Sequence, residues 1–178
     1  DLAIIDIANR APESALSALH MTRLPGLPEA LERQRRVLEA RALIDAGRED
    51  LALDMIARVE GRDADLLRID AHWKAGRYGD AAEYIEKLYG SDGLEGDLPK
   101  PSRINIIKAA VGYVLSDDRI GLTRLRSKYS ERMAKTPEWA MFDYVTGAVE
   151  ITSLEFRRVA REVAGRDSLD AFLNVYAK

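Results

Sequence analysis

Apolar residues recur along this chain at intervals of three and four, the spacing that gives a helix one buried face. Val37, Leu38, Leu43 and Ile44 lead to Gly47; Leu51, Leu53, Ile56 and Val59 then lead to Gly61. A second run carries Leu66, Leu67, Ile69 and Trp73 to Gly76, and Ala81, Ala82, Ile85 and Leu88 to Gly90. Each reads as two antiparallel helices joined by a short turn, over residues 28–60 and 63–89. Residues 2–22 give another such pair, although Ile4-Ile5 and Ile7 also fit a strand. Further along, 102–134 form a hairpin turning at Asp117-Asp118, with Ser102 as a cap and Ile120, Leu122, Leu125, Tyr129 and Met133 as the return stripe. Thr136-Pro137-Glu138 predicts a helix restart, with Thr136 as cap, opening the pair 137–164; Ser153 starts its second helix. A final helix is expected over 168–177, and the glycine- and proline-bearing stretch 90–101 is expected as a loop insertion.

Two of these segments repeat. At an offset of 29 residues Ala46-Gly47-Arg48 returns as Ala75-Gly76-Arg77, Leu38 as Leu67, Ala42 as Ala71, Ala52 as Ala81 and Ile56 as Ile85. Glycine at the turn supplies the left-handed conformation that stops a helix, and alanine lets the returning helix approach closely.

Ala40, Gly47, Ala52 and Ile56, then Gly76, Ala81 and Ile85, then Ala109, Gly121 and Leu125 with Ser116 at the turn, form a pattern that resembles the tetratricopeptide repeat family. The offset of 29 is shorter than the family's 34, and the Trp and Tyr of its first helix are missing. The resemblance covers Leu31 to about Thr136. It implies an all-α fold: an α-solenoid of stacked antiparallel helix hairpins, or TPR-like superhelix, forming a single domain over 1–178. It further implies a concave groove, lined by the first helix of each hairpin, that binds a peptide or partner protein. In that register the groove residues are Gln34, Arg41, Ile44, Asp70, Trp73, Lys74, Arg103 and Tyr113. Trp73 and Tyr113 are either binding anchors or aromatics packed between helices.

Composition agrees with helices. The 178 residues include 25 alanines but only 7% aromatics, and 20 arginines against 7 lysines. With 47% hydrophobic and 32% charged residues and a net charge of -3, the chain is neither disordered nor basic enough to point to nucleic acid. No apolar run approaches the ~20 residues of a membrane span, so no membrane insertion is expected. The alanine and arginine bias reads as bacterial, and the start at Asp1 as a piece of a longer protein. The absence of cysteine excludes disulfide and thiolate sites and fits cytoplasm and periplasm equally.

Candidate chemistry is sparse. His20 and His72 are far apart and lack metal-ligand spacing; Asp92, Glu95 and Asp97 lack the alternation of a calcium loop. Asp117-Asp118 fits a turn and cap better than an acid/base pair. Arg119, Arg124, Arg126, Lys128, Arg132 and Lys135 oppose only Glu131 on one helix, and Arg157, Arg158 and Arg161 form a smaller group. Such cations serve a phosphate or acidic peptide, or simply finish a solvated face. We therefore expect a non-enzymatic interaction scaffold without cofactor or metal, within a larger bacterial assembly. Its rivals are a regulatory or substrate-guiding segment of a larger enzyme, a nucleic-acid-binding repeat, and self-association through exposed solenoid ends.

Overall fold

A computed structural model describes residues 2–90, 97–147 and 150–164, which contain helices and no strand. The helices are α1 (Leu2–Ala8), α2 (Pro12–Met21), α3 (Glu29–Asp45), α4 (Glu49–Ile56), α5 (Arg62–Lys74), α6 (Tyr78–Tyr89), α7 (Lys100–Leu115), α8 (Arg119–Met133), α9 (Trp139–Thr146) and α10 (Leu154–Ala164). The chain is all-α as expected, and Ile4–Ile7 is helical rather than extended. The predicted helix 168–177, residues 91–96 of the predicted loop and the Asp92/Glu95 pair lie outside the described residues. Helices divide between two compact units, one holding α1–α5 and ending at Gly76, the other holding α6–α10 and starting at Arg77. That boundary falls in the turn expected to join the helices of 63–89.

In the first unit α1 and α2 pair and pack on α3, α3 and α4 form a hairpin, and α5 packs on both of them. Ile7, Leu19, Val37, Ile44, Ile56 and Leu67 fill the core, with Ala15, Ala40, Ala52 and Ala71 fully buried where helices cross. Alanine there removes the side-chain bulk that would hold two backbones apart. In the second unit α7 is central: α6, α8, α9 and α10 all pack against it. From Ile104 to Tyr113 only Asn105 escapes burial, so this helix is enclosed on every side. Phe156, Val159 and Val163 seat α10 upon it.

The turns explain the repeat. Gly47 has φ +73°, its N–H donates to Ile44 O at 3.2 Å, and Arg48 N–H donates to Leu43 O at 2.8 Å, which is a Schellman closure. Gly76 has φ +73° and donates to Trp73 O at 3.2 Å. In the third hairpin the left-handed residue is Asp117 at φ +54°, with Asp117 N–H on Val114 O at 3.2 Å and Asp118 N–H on Tyr113 O at 2.9 Å. Aspartate is among the few side chains that tolerate this region. The expected register, with Ser116 in the glycine position, is therefore displaced by one residue.

Other local expectations change for physical reasons. Ser102 sits in the first turn of α7 rather than capping it, because the helix already begins at Lys100 after Pro99. Thr136 turns its hydroxyl back onto Met133 O at 2.8 Å, closing α8 instead of opening α9, whose cap position is Glu138. Ser153 does cap α10, accepting from Phe156 N–H at 3.1 Å. Leu51 and Ile120, placed in buried stripes by spacing, are 57% and 82% exposed; their helices turn Ala52 and Gly121 inward instead.

Candidate functional site

The eight residues assigned to a groove fall in both units and in three different settings. Gln34, Arg41, Ile44, Asp70, Trp73 and Lys74 belong to the first unit; Arg103 and Tyr113 belong to the second. Ile44 is core. Arg41 is 3% exposed, too deep to meet a partner, because α5 packs against α3 and carries Asp70 to it. Its Nη1 donates to Asp70 Oδ2 at 3.0 Å, while its Nε and Nη2 hold both oxygens of Asp45 at 2.9 Å. Lys74 Nζ completes the series on Asp45 Oδ1 at 3.0 Å. Four charges thus alternate in sign as Asp70–Arg41–Asp45–Lys74, and only Lys74 is exposed. Trp73 and Gln34 are half-buried.

Guanidinium groups brace other crossings of the same unit. Arg33 donates to Asp63 and to Glu60 O; Arg68 donates to Asp65 Oδ1 at 2.8 Å and to Ile56 O and Val59 O. One planar guanidinium spreads its donors over several nitrogens and so reaches acceptors on two elements in fixed geometry, which a lysine's single ammonium nitrogen does less well, and this gives the arginine excess a structural use.

Tyr113 is fully buried, and the second of its two readings applies: it is packed between helices. Its hydroxyl donates to Glu86 Oε2 at 3.0 Å, which α6 delivers to the face of α7. From α8, Arg124 Nη2 reaches Glu86 Oε2 at 3.0 Å and Tyr113 Oη at 2.9 Å, and Lys128 Nζ reaches Glu86 Oε1 at 3.3 Å. Burial opposes ionisation of Glu86, but hydrogen bonds from Arg124, Tyr113 and Lys128 outweigh it and hold its carboxyl below the ordinary range. Burial, then the Glu86 charge, pushes the Tyr113 phenol well above its ordinary value. Glu86 was not singled out in the sequence; its only signal there was a charged residue between the apolar Ile85 and Tyr89 of an otherwise amphipathic helix.

Arg103 is also structural. It donates to Glu138 Oε2 and to Leu98 O, both at 2.7 Å, tying the start of α7 to the start of α9. Burial opposes ionisation of Glu138 too, yet the Arg103 hydrogen bond keeps its carboxyl below the ordinary range. The basic series on α8 is largely engaged internally: Arg124 and Lys128 on Glu86, and Arg126 on Asp143 and, at 2.6 Å, Thr146 Oγ1. Arg119 stands 90% exposed, 3.5 Å from Asp117.

Metal chemistry finds no assembled site among the described residues. No group of three or more His, Asp or Glu is placed to hold a metal ion. Asp118 accepts from Gly121 N–H at 2.8 Å as a cap, and Asp117 makes the turn. No described helix is long and apolar enough to cross a membrane.

An apolar concavity of the first unit lies at its α1–α3 end. A groove of about 480 Å³ is floored by Ile4, Leu19, Leu27 and Leu38 and edged by exposed Leu2, Met21, Leu24 and Leu31, with Gln34 and Arg35 on its polar side. Leu19 and Arg35 also line an adjoining cleft of about 220 Å³, where His20, Arg23 and Arg36 face Glu32 and Glu39. Comparison of this chain with protein-family profiles, curated proteins and solved structures finds no match.

Proposed function

We propose that this chain is a non-catalytic protein–protein interaction scaffold, a TPR-like solenoid that presents helix faces and grooves to a peptide or partner protein. The observation that carries it is the Schellman turn repeated within each unit, at Gly47 between α3 and α4 and at Asp117 between α7 and α8, each closing one helix with the next starting two residues later. Hairpins made this way stack through small residues and leave extended surfaces open, which is how helical repeats bind partners. Ion pairs occupy much of the predicted first-helix face, leaving Lys74 exposed and Trp73 and Gln34 half-exposed on it.

The test is quantitative retention of protein from a lysate of the source organism on the immobilised full chain, with Trp73→Ala and Lys74→Glu in parallel. Arg41→Ala is unsuitable because Arg41 holds α3 to α5. The expected result is stoichiometric recovery of a defined protein. Loss of recovery with either variant places the contact on this face. Recovery of nothing from the wild-type chain refutes the scaffold reading.

A further inference from the structure

We propose that the apolar groove at the α1–α3 end of the first unit is the docking site for an acidic amphipathic segment of another protein. This rests on the scaffold reading and names the chemistry of its partner. Four large apolar side chains edge the groove in the open, with Met21 at 82% exposure. A contiguous exposed apolar concavity of this size is characteristic of a binding surface. The groove accepts helix anchors at i, i+3, i+4 and i+7, as in helix-in-groove recognition.

Charge decides the partner. Among the described residues no carboxylate lines this groove, and its only charged group is Arg35. Arg35 donates to Thr22 Oγ1 at 3.2 Å and to Leu19 O, so its guanidinium is held in place without a carboxylate to neutralise it. In the adjoining cleft Arg36 Nε lies 3.6 Å from Glu32, while Arg23 is exposed and makes no ion pair with a described residue. The adjoining cleft thus sets three arginines against two glutamates beside the apolar trough, and of these arginines Arg23 and Arg35 make no ion pair with a described residue. A second copy of this chain fits poorly, because a two-fold contact through the same patch brings like charges together. An entering segment with leucine-type anchors and flanking carboxylates satisfies both features at once.

The probes are two synthetic helical peptides with identical leucine spacing, one carrying glutamates on its polar face and the other lysines, followed by fluorescence anisotropy against the full chain. The glutamate peptide is expected to bind at least ~10-fold more tightly, with the preference shrinking as salt rises. Arg23→Glu, at an exposed position that braces nothing, is expected to weaken the glutamate peptide about 10-fold and strengthen the lysine peptide. Met21→Glu abolishes both, with circular dichroism showing the fold intact. Equal binding of the two peptides, or indifference to Arg23→Glu, overturns the proposal. So does a dimer in sedimentation that Met21→Glu dissolves. Failure of both peptides while lysate protein is still retained refutes this groove and spares the scaffold; failure of both assays refutes both.

Discussion

Replacing Glu86 by glutamine asks whether Tyr113, Glu86, Arg124 and Lys128 act as one coupled cluster. Arg124 and Lys128 are 54% and 46% exposed, so their pairs with Glu86 are screened and worth roughly 0–1 kcal/mol each. The Tyr113 bond is buried and ends on a charged acceptor, a class worth about 1.5–3 kcal/mol. Glutamine keeps the shape and one acceptor oxygen but turns an amide donor toward other donors, and should cost about 2 kcal/mol. Tyr113→Phe removes the same bond and also the acceptor of one Arg124 N–H, which is exposed enough to turn to water, and should cost about 1.5 kcal/mol. Because the shared bond is lost only once, the double variant should fall short of additivity by about 1 kcal/mol.

The chain supplies its own reporters, with Trp73 in the first unit and Trp139 in the second. In a Trp73→Phe background, Trp139 fluorescence follows the second unit through a urea titration. For a slope of roughly 1–3 kcal/mol per molar urea, Glu86→Gln should lower the midpoint by about 1 M. The folded-state pKa of Glu86 is depressed, so its stabilisation is fully present above the unfolded value of about 4.3 and is lost as pH falls through the folded value. The gap between wild type and Glu86→Gln should therefore be constant near neutrality and close under acid. Costs additive to within about 0.3 kcal/mol, or a gap that persists unchanged in acid, would refute the coupling.

Three other outcomes follow from the geometry. Gly121→Ala, normally a gain in a helix, should lower stability by about 2 kcal/mol, because a Cβ there would lie 2.5 Å from Asp118 Oδ2 and 2.6 Å from the Tyr113 ring; thermal circular dichroism measures it, and a higher Tm would show that the crossing is loose. Arg41→Ala should cost about 3 kcal/mol, read from Trp73 in a Trp139→Phe background, since it removes a buried guanidinium from between the Asp45 and Asp70 carboxylates; a loss below about 1 kcal/mol would mean that water replaces the guanidinium. Gly47→Ala meets no neighbouring atom within 4 Å, so its cost of about 1 kcal/mol comes from the left-handed backbone alone, and Gly47→Asn should cost less in urea unfolding.

Helix positions were legible because burial on one face leaves a periodic trace and the turn glycines mark where each helix stops. The turn at Asp117-Asp118 was legible, but its left-handed residue was placed one position early, at Ser116, because an aspartate doing a glycine's task looks like any other turn residue. Thr136-Pro137 misled because a threonine hydroxyl closes one helix as readily as it opens the next. Leu51 and Ile120 misled because spacing alone admits two neighbouring stripes, and the tight crossings at Ala52 and Gly121 select between them. Arg41 and Tyr113 were picked out by register, but their roles depend on Asp70, 29 residues away, and Glu86, 27 away, and no local pattern announces such pairings. The apolar groove went unnoticed because Leu2, Met21, Leu24 and Leu31 come from separate segments that meet only on folding.

Arg41 and Asp70 are the same position in successive copies of the repeat, and so are Asp45 and Lys74. Each copy therefore carries the opposite sign of its neighbour at both places, and the link between them has a direction. A second α3 in the place of α5 would set arginine against arginine and aspartate against aspartate, one of them deeply buried. The chain thus cannot be lengthened by plain tandem duplication of either copy. Any insertion or exchange of hairpins must carry a compensating reversal of charge, so the two copies have become distinct parts with a fixed order of assembly.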